Sequence, residues 1–218
     1  MSERNDLLYI ISRTVFEIFI KVMFRLRIFG KENFPEAPFL IASNHASLVD
    51  PPLVGIACKK YIVDFMAKKE LFDSPRVGAW TRAVGCIEVR RGENSIKGLK
   101  EAIRRLNKGR HVVAIFPEGS RSKDGELREA QRGMGFLVAR AAVPVVPVYV
   151  EGSGEALPVG KRFKFNAPVN VYVGRPLLPE EFAPFKGTGK WDYEGIAGAV
   201  MDRIASLKAR KEKGELNC

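Results

Sequence analysis

Cysteine and histidine are scarce in this sequence. Among 218 residues there are three cysteines (Cys58, Cys86 and Cys218) and two histidines, and no CxxC pair occurs. This pattern predicts neither a disulfide framework nor a zinc site, and it is typical of a protein in a reducing compartment. We therefore expect no metal ion and no cofactor.

Long uncharged hydrophobic runs are also absent. The most apolar stretch, residues 7–29, contains five charged residues and no small-residue cleavage site, so it predicts neither a transmembrane helix nor a signal peptide. A composition of 46% hydrophobic and 28% charged residues is typical of globular proteins. At this length we expect one domain with helices added at its ends.

Acidic residues are outnumbered, since 36 Lys and Arg against 25 Asp and Glu leave a net charge of +11. This excess indicates an anionic partner, such as a membrane surface, a phosphorylated metabolite, an acidic carrier protein or a nucleic acid. The basic stretch 97–110 contains no aromatic residue that could stack on a base. We therefore expect no nucleic acid partner.

Residues 5–22 have the pattern of a helix with a narrow charged stripe. Arg13, Glu17 and Lys21 fall within an arc of about 80°, and apolar side chains fill most of the remaining surface. Such a helix either packs on the domain or lies in a membrane interface with its charged stripe toward water. The aromatic residues and the basic balance favour the membrane.

The remaining pattern predicts an α/β fold with a mixed, largely parallel central sheet flanked by helices. Residues 39–43, 111–116 and 145–150 are continuous apolar runs, as in strands buried on both faces. Helices are expected to begin near residues 50, 74, 95, 129 and 192. Residues 24–28 alternate like a strand, and 161–165 with 169–173 predict an antiparallel hairpin around Asn-Ala-Pro. The expected division is an N-terminal helix (1–22), an α/β domain (23–180) and a C-terminal helix with a basic tail (181–218).

The stretch SNHASLVDPP, residues 43–52, places His45 directly after a predicted strand. A neutral histidine can act as a general base when an acceptor holds its other ring nitrogen, and Asp50 could supply that acceptor. Asp50 followed by Pro51 also predicts a helix cap. The two interpretations of Asp50 are compatible.

Three further blocks lie at junctions between strands and loops, where ligands bind in α/β proteins. In GCIEVRRG (85–92) Arg90 and Arg91 point to opposite faces of a strand, so at most one should reach a shared site, where a guanidinium binds phosphate well. An ordinary pair of basic surface residues is the alternative interpretation of this block. In IFPEGSRSKDG (115–125) a phosphate or hydroxyl site and an ordinary polar turn are both plausible interpretations. In VPVVPVYV (143–150) the proline indicates an edge strand or a strand start, and the block is interpreted as architectural.

Taken in order, the four blocks resemble those of the lysophosphatidate (1-acylglycerol-3-phosphate) acyltransferase family of glycerolipid acyltransferases. That family has NHxxxxD, a glycine-to-arginine block, FPEGTRS and VPIVPV, and the sequence has NHASLVD, GCIEVRR, FPEGSRS and VPVVPV across residues 40–150. Two departures occur. Glu88 and Arg90 stand where the family usually has an aromatic and an acidic residue, and Ser120 replaces threonine.

The resemblance implies that His45 is the general base and that Asp50 orients it. It further implies a binding site for the phosphate end of the acceptor, with Asn44, Arg90 and Arg132 as additional candidates. The implied phosphate-binding residues are Arg91, Glu118, Gly119, Ser120 and Arg121.

The implied activity is transfer of a fatty acyl group from acyl-CoA or acyl-carrier protein to 1-acylglycerol-3-phosphate, which gives phosphatidate for phospholipid synthesis. The implied location is peripheral, on the cytoplasmic face of a membrane. A sister acyltransferase acting on glycerol-3-phosphate or another lysolipid remains an alternative. So does, from a different class, a non-catalytic basic module that binds membrane or nucleic acid.

Overall fold

The structure of the protein is a computed structural model, which describes residues 4–90, 95–158, 160 and 162–216. Its strands form one sheet in the order β1-β7-β6-β2-β5-β3-β4. Neighbouring strands are parallel except β6 and β7, which are antiparallel. The mixed, largely parallel α/β sheet predicted from the sequence is therefore confirmed. The strands are β1 (Phe24–Phe29), β2 (Phe39–Ser43), β3 (Val63–Lys68), β4 (Ile87–Val89), β5 (Val112–Ile115), β6 (Val145–Glu151) and β7 (Ala167–Val173).

Helices cover both faces of the sheet. Strand β2 is buried along its whole length, with Leu40 and Ala42 on one face and Phe39 and Ile41 on the other. The first face packs against α5, α6 and α8, and the second against α1 and α2. The helices are α1 (Asp6–Met23), α2 (Asp50–Ala57), α3 (Lys69–Asp73), α4 (Pro75–Ala83), α5 (Ser95–Leu106), α6 (Arg132–Ala141), α7 (Ser153–Ala156) and α8 (Tyr193–Glu212), with 3-10 helices at Lys31–Asn33 and Pro179–Phe185.

The loops that carry the first and third sequence blocks lie at one edge of the sheet. Strands β2, β5 and β6 end there, and because β7 is antiparallel to β6, β7 and its parallel neighbour β1 begin there. We call this the His45 edge, since His45 lies two residues after the end of β2. The first and third sequence blocks therefore meet at one place, as expected for the carboxyl ends of adjacent parallel strands.

The predicted hairpin of residues 161–165 with 169–173 is wrong. Strand β7 forms, but its two sides are occupied by β1 and β6, which leaves no free edge for a hairpin partner. Residues 162–164 have no regular secondary structure. They are held instead by a hydrogen bond from the Lys164 backbone N–H to the Ala156 carbonyl oxygen, 2.7 Å long.

Of the two interpretations of the proline block, the edge strand is wrong, because β6 lies between β2 and β7. The strand start is correct for Pro144, which directly precedes β6, whereas Pro147 lies within the strand. The proline is tolerated there because the ladder between β6 and β7 ends at Val148 and Val173. The Pro147 carbonyl accepts a hydrogen bond from the Gly174 N–H, just beyond that ladder. Since N and O of one strand residue face the same side, the missing N–H costs no strand pairing.

Helix α1 forms as predicted, but only Lys21 of its charged stripe faces water, whereas Arg13 and Glu17 face the domain. The Arg13 guanidinium donates to the carbonyl oxygens of Lys59 and Tyr61, both at 3.1 Å. The Glu17 side chain is only 12% exposed and pairs with Lys21 and Lys59. These contacts turn the opposite, apolar side of the helix outward.

Candidate active site

His45 and Asp50 form a hydrogen-bonded pair at the end of β2. The distance from His45 Nδ1 to Asp50 Oδ2 is 2.8 Å. The Asp50 side chain is fully buried, and the His45 side chain is 17% exposed. A buried carboxylate bonded to Nδ1 favours the tautomer that carries the proton on Nδ1, so Nε2 is left as the basic nitrogen.

Asp50 takes this position because the turn between β2 and α2 folds back over it. Its Oδ2 also accepts the backbone N–H groups of Ala46 and Ser47, each at 2.7 Å. The predicted helix cap at Asp50 is therefore wrong. Val49 precedes the first helical residue, and Pro51 and Pro52 at the start of α2 have no N–H to offer.

The His45 ring is held by stacking as well as by hydrogen bonding. It lies on the Phe116 ring, with centroids 4.1 Å apart and planes 23° apart. Among the residues that the structure describes, none makes a hydrogen bond to Nε2. The pair is therefore a preorganised base whose free nitrogen is partly exposed.

Two side chains fix the His45 turn to neighbouring elements. The Asn44 amide makes two bonds to β6, donating to the Val150 carbonyl at 2.9 Å and accepting from its N–H at 2.7 Å. Ser47 Oγ donates to the Leu157 carbonyl oxygen at 2.9 Å. Asn44 thus positions the turn and does not point into solvent.

The loop after β5 supplies the other wall of the site. Glu118 Oε1 accepts the His45 backbone N–H at 3.1 Å, and the His45 carbonyl accepts the Ser122 N–H at 2.7 Å. Gly119 has a φ of +68°, which a glycine adopts without strain. The first and third sequence blocks are therefore bonded to each other through the backbone of the histidine itself.

Comparison with known proteins identifies the family of the chain. Residues 25–151, more than half of the chain, match the family model described as Acyltransferase. The chain belongs to the acyltransferase family. The family predicted from the four sequence blocks is thus confirmed.

Individual relatives carry related names. A Bacillus subtilis protein named 1-acyl-sn-glycerol-3-phosphate acyltransferase is 28% identical over 89% of this chain and 96% of its own length. A chloroplastic protein of Brassica napus with the same activity name is 30% identical over 80% of this chain, which spans only 51% of that protein. The crystal structure of the 1-acyl-sn-glycerophosphate (LPA) acyltransferase PlsC from Thermotoga maritima superposes with a TM-score of 0.75 at 25% identity, over 93% of this chain and 79% of that one.

The arginines predicted for the acyltransferase site differ in their placement. Arg121 is half-buried beside the His45 turn and makes no ion pair with any described residue. Arg90 pairs with Glu88 at 2.7 Å on β4, three strand spacings or about 14 Å from β2. The Arg132 guanidinium lies over the Tyr193 ring, 5.8 Å from its centroid. Arg91 lies outside the described residues.

The other histidine forms a different kind of pair. His111 Nδ1 is 2.9 Å from Asp64 Oδ2, and the buried Asp64 also binds the guanidinium groups of Arg4 and Arg105. Asp64 and His111 lie near the starts of β3 and β5, at the opposite edge of the sheet. We interpret this cluster as a structural anchor for the residues that precede α1.

The described cysteines are not suited to form an acyl-enzyme. Burial raises the pKa of the Cys58 and Cys86 thiols to about 12, so the reactive thiolate is scarce near neutral pH. Cys218 lies outside the described residues. Within the described part of the chain, no three or more His, Cys, Asp and Glu side chains converge as metal ligands.

Several residues of the candidate site are not among those predicted from the sequence alone. Phe116 lies at the start of the third block and could have been noticed as an aromatic residue next to the site. The backbone N–H donors to Asp50 and the clamp between Asn44 and Val150 leave no signal in the sequence, because they depend on how the turn folds. None of the helices in the described chain has both the length and the hydropathy to cross a membrane.

Glu118 gives the site a titratable group with a shifted pKa. The residue is 4% exposed, and no described residue bonds its Oε2. Burial is the main cause that raises its pKa to about 7, the nearby Asp50 charge adds to this, and the His45 N–H and Arg128 act against it. The folded state therefore favours the neutral carboxyl.

A Glu118→Gln variant should lose part of the pH dependence of stability. Because the pKa of Glu118 is higher in the folded state, its protonation stabilises the fold. This contribution is complete below the unfolded value of 4.5 and is lost as the pH rises through about 7. The free energy of unfolding of the parent should therefore fall by on the order of 3 kcal/mol between these pH values because of this group, and that of the variant should not. Denaturant unfolding at pH 5 and pH 8 measures this difference. Glu180→Gln, at an exposed position, is the control, and equal pH dependence in parent and Glu118→Gln would contradict the assignment.

Proposed function

We propose that the protein transfers a fatty acyl group from acyl-CoA or acyl-carrier protein to the free hydroxyl of 1-acylglycerol-3-phosphate, giving phosphatidate. The observation that carries the proposal is the His45–Asp50 pair, fixed at the sheet edge with Nε2 free to accept a proton. The names of the relatives from Bacillus subtilis and Brassica napus support the same acceptor.

The reaction follows from the state of the imidazole. Nε2 of His45 accepts the proton of the acceptor hydroxyl while that oxygen attacks the thioester carbonyl carbon. The tetrahedral intermediate collapses with cleavage of the C–S bond, and the thiolate takes the proton back from Nε2. Asp50 keeps its hydrogen bond to Nδ1–H and stabilises the imidazolium formed in between. No protein nucleophile is required.

The phosphate of the acceptor needs cationic or N–H donors near His45. Arg121 is suited because its neighbour Ser122 bonds the His45 carbonyl and no described acidic group pairs with Arg121. Ser120 can add a hydroxyl, and Gly119 lets a phosphate oxygen approach the backbone. Arg91 completes the proposed set. Glu118 is given a different task, because its carboxyl is buried and already accepts the His45 N–H, which supports the turn.

We place the acyltransferase at a membrane surface, with the outward side of α1 in contact with lipid. Trp80 of α4 borders this surface, with its ring 6.2 Å from the Phe16 ring and its Nε1–H bonded to Ser12. A patch of this kind on a soluble domain marks an interaction site. The exposed apolar side chains of α1 are Leu7, Ile10, Ile11, Val15, Phe16, Ile18, Phe19 and Val22.

An acceptor screen tests the proposal. The purified chain is incubated with radiolabelled acyl thioester and, in separate reactions, 1-acylglycerol-3-phosphate, glycerol-3-phosphate or a lysophospholipid that lacks a terminal phosphate. We expect kcat/KM to be highest with 1-acylglycerol-3-phosphate, because it combines a phosphate dianion for Arg121 with an acyl chain that the apolar surface of α1 can bind. Arg121→Gln should reduce the preference over the lysophospholipid that lacks a terminal phosphate. A higher kcat/KM with glycerol-3-phosphate would overturn the assigned acceptor while leaving the acyl-transfer chemistry in place.

A further inference from the structure

Residues 162–165, the segment that fails to form the predicted hairpin, present an unusual surface. Its sequence Arg-Phe-Lys-Phe alternates basic and aromatic residues, and all four are exposed. Phe163 is 48% exposed and Phe165 is 69% exposed. Two phenylalanine rings with this much exposed surface, two residues apart in a basic segment, indicate an interaction.

The segment is held in place by its backbone. Besides the bond from Lys164 N–H to Ala156, the Asn166 N–H donates to the Met23 carbonyl at 2.7 Å, and the Arg25 guanidinium donates to the Asn166 carbonyl at 3.2 Å. Asn166 has a φ of +59°, a left-handed conformation that asparagine tolerates. The rings are therefore displayed from a fixed turn.

The segment continues the apolar surface of α1. The Phe163 ring packs edge-on against Phe19 of α1, with centroids 6.0 Å apart. The neighbouring α1 side chains Ile18 and Val22 are aliphatic and exposed. An aliphatic surface next to the rings suits hydrocarbon, whereas a base-stacking platform needs aromatic faces in series.

The segment also lies at the His45 edge. It leads into β7, which begins two strand spacings, about 10 Å, from the strand that ends at His45. A chain of bonds connects the two, from Ser47 to Leu157 and from the adjacent Ala156 to Lys164. Leu48 in the His45 turn is itself 58% exposed.

We infer that residues 162–165 form a second lipid-binding element that seats the His45 edge on an anionic bilayer. Phe163 and Phe165 enter the acyl-chain boundary beside α1, and Arg162 and Lys164 bind the lipid phosphates above them. This rests on the proposed function, in which the acceptor is a membrane lipid. It adds a specific consequence, namely that the site receives the acceptor from the bilayer at the edge where His45 lies.

Co-sedimentation of the full chain with vesicles tests the inference. The vesicles are phosphatidylcholine alone or phosphatidylcholine mixed with the anionic phosphatidylglycerol. We expect F163S/F165S to bind both kinds of vesicle about tenfold more weakly or worse, because two partly buried rings are lost. We expect R162E/K164E to lose the preference for the anionic vesicles.

The matched control is R175E/L178S, which changes an exposed basic residue and an exposed apolar residue beyond the end of β7, at the opposite edge. It should bind like the parent, and I11D/I18D on α1 serves as the positive control for lost binding. The inference is overturned if both segment variants bind vesicles like the parent while I11D/I18D does not. It is equally overturned if R162E/K164E changes only the binding of single-stranded RNA.

A second readout separates this inference from the proposed function. Acyl transfer to a short-chain 1-acylglycerol-3-phosphate dissolved as monomers does not require a bilayer, so the segment variants should retain the parental rate with it. If the parent itself transfers no acyl group to that acceptor, the proposed function fails. The vesicle data then still decide whether residues 162–165 bind lipid.

Discussion

Replacing His45 by alanine should reduce acyl transfer by about 10³–10⁴-fold, because the variant loses the group that accepts the hydroxyl proton and returns it to the leaving thiolate. The side chain contributes one stacking contact and one hydrogen bond, so the fold should persist. Initial rates with labelled acyl thioester and 1-acylglycerol-3-phosphate measure the loss.

The second histidine offers a matched control for this experiment. His111 has a similar bond to a buried aspartate, yet it lies at the opposite edge of the sheet. His111→Ala should keep the parental rate. If His45→Ala keeps it as well, the mechanism proposed for the imidazole is wrong, whatever the acceptor.

Replacing Asp50 by asparagine should lower kcat by about 10²–10³-fold with little change in the KM for the acceptor. The amide oxygen of asparagine can still accept the N–H groups of Ala46 and Ser47, so the turn should remain folded. The amide oxygen in the Oδ2 position also keeps the bond to Nδ1–H of His45, so the tautomer is retained, but the negative charge that stabilises the imidazolium is lost. Steady-state kinetics and unfolding free energies of parent and variant measure both effects.

Comparing the changes in kcat and in KM shows whether Asp50 orients the His45 ring or only maintains the fold of the turn. A collapse of the turn would raise KM, lower the free energy of unfolding, or do both. A kcat equal to that of the parent would mean that Asp50 only shapes the turn. Asp50 touches no reacting atom, and its role is exerted through Nδ1 of His45.

Much of the sheet could be predicted because several of its strands are uninterrupted apolar runs. Strand β2, Phe39–Ser43, is buried on both faces, and the absence of alternation in its sequence indicates this burial. The pairing of His45 with Asp50 could be predicted from the residue types and their spacing. The family could be predicted because four sequence blocks occur in the same order as in its members. The helix of residues 5–22 was equally clear from its periodicity.

The remaining features depend on contacts between distant residues. Residues 161–165 alternate like a strand, but a strand also needs a partner with a free edge, and β1 and β6 already flank β7. The charged stripe of α1 was expected to face water in the membrane interpretation, because the periodicity of a helix does not show which of its sides packs against the domain. The Arg13 guanidinium donates to the carbonyl oxygens of residues 59 and 61, so this side of the helix packs against the domain. No sequence pattern shows where these carbonyl groups lie.

The position of β1 has a consequence for the order in which the chain folds during synthesis. β1 is an outer strand of the sheet, and among the described residues its one strand partner is β7, so Phe24 can pair only after Ala167 has left the ribosome. At usual rates of translation this interval is on the order of ten seconds. Throughout it, α1 is already made while its connecting strand has no partner. The nascent chain therefore exposes this helix well before the domain that will carry it is complete.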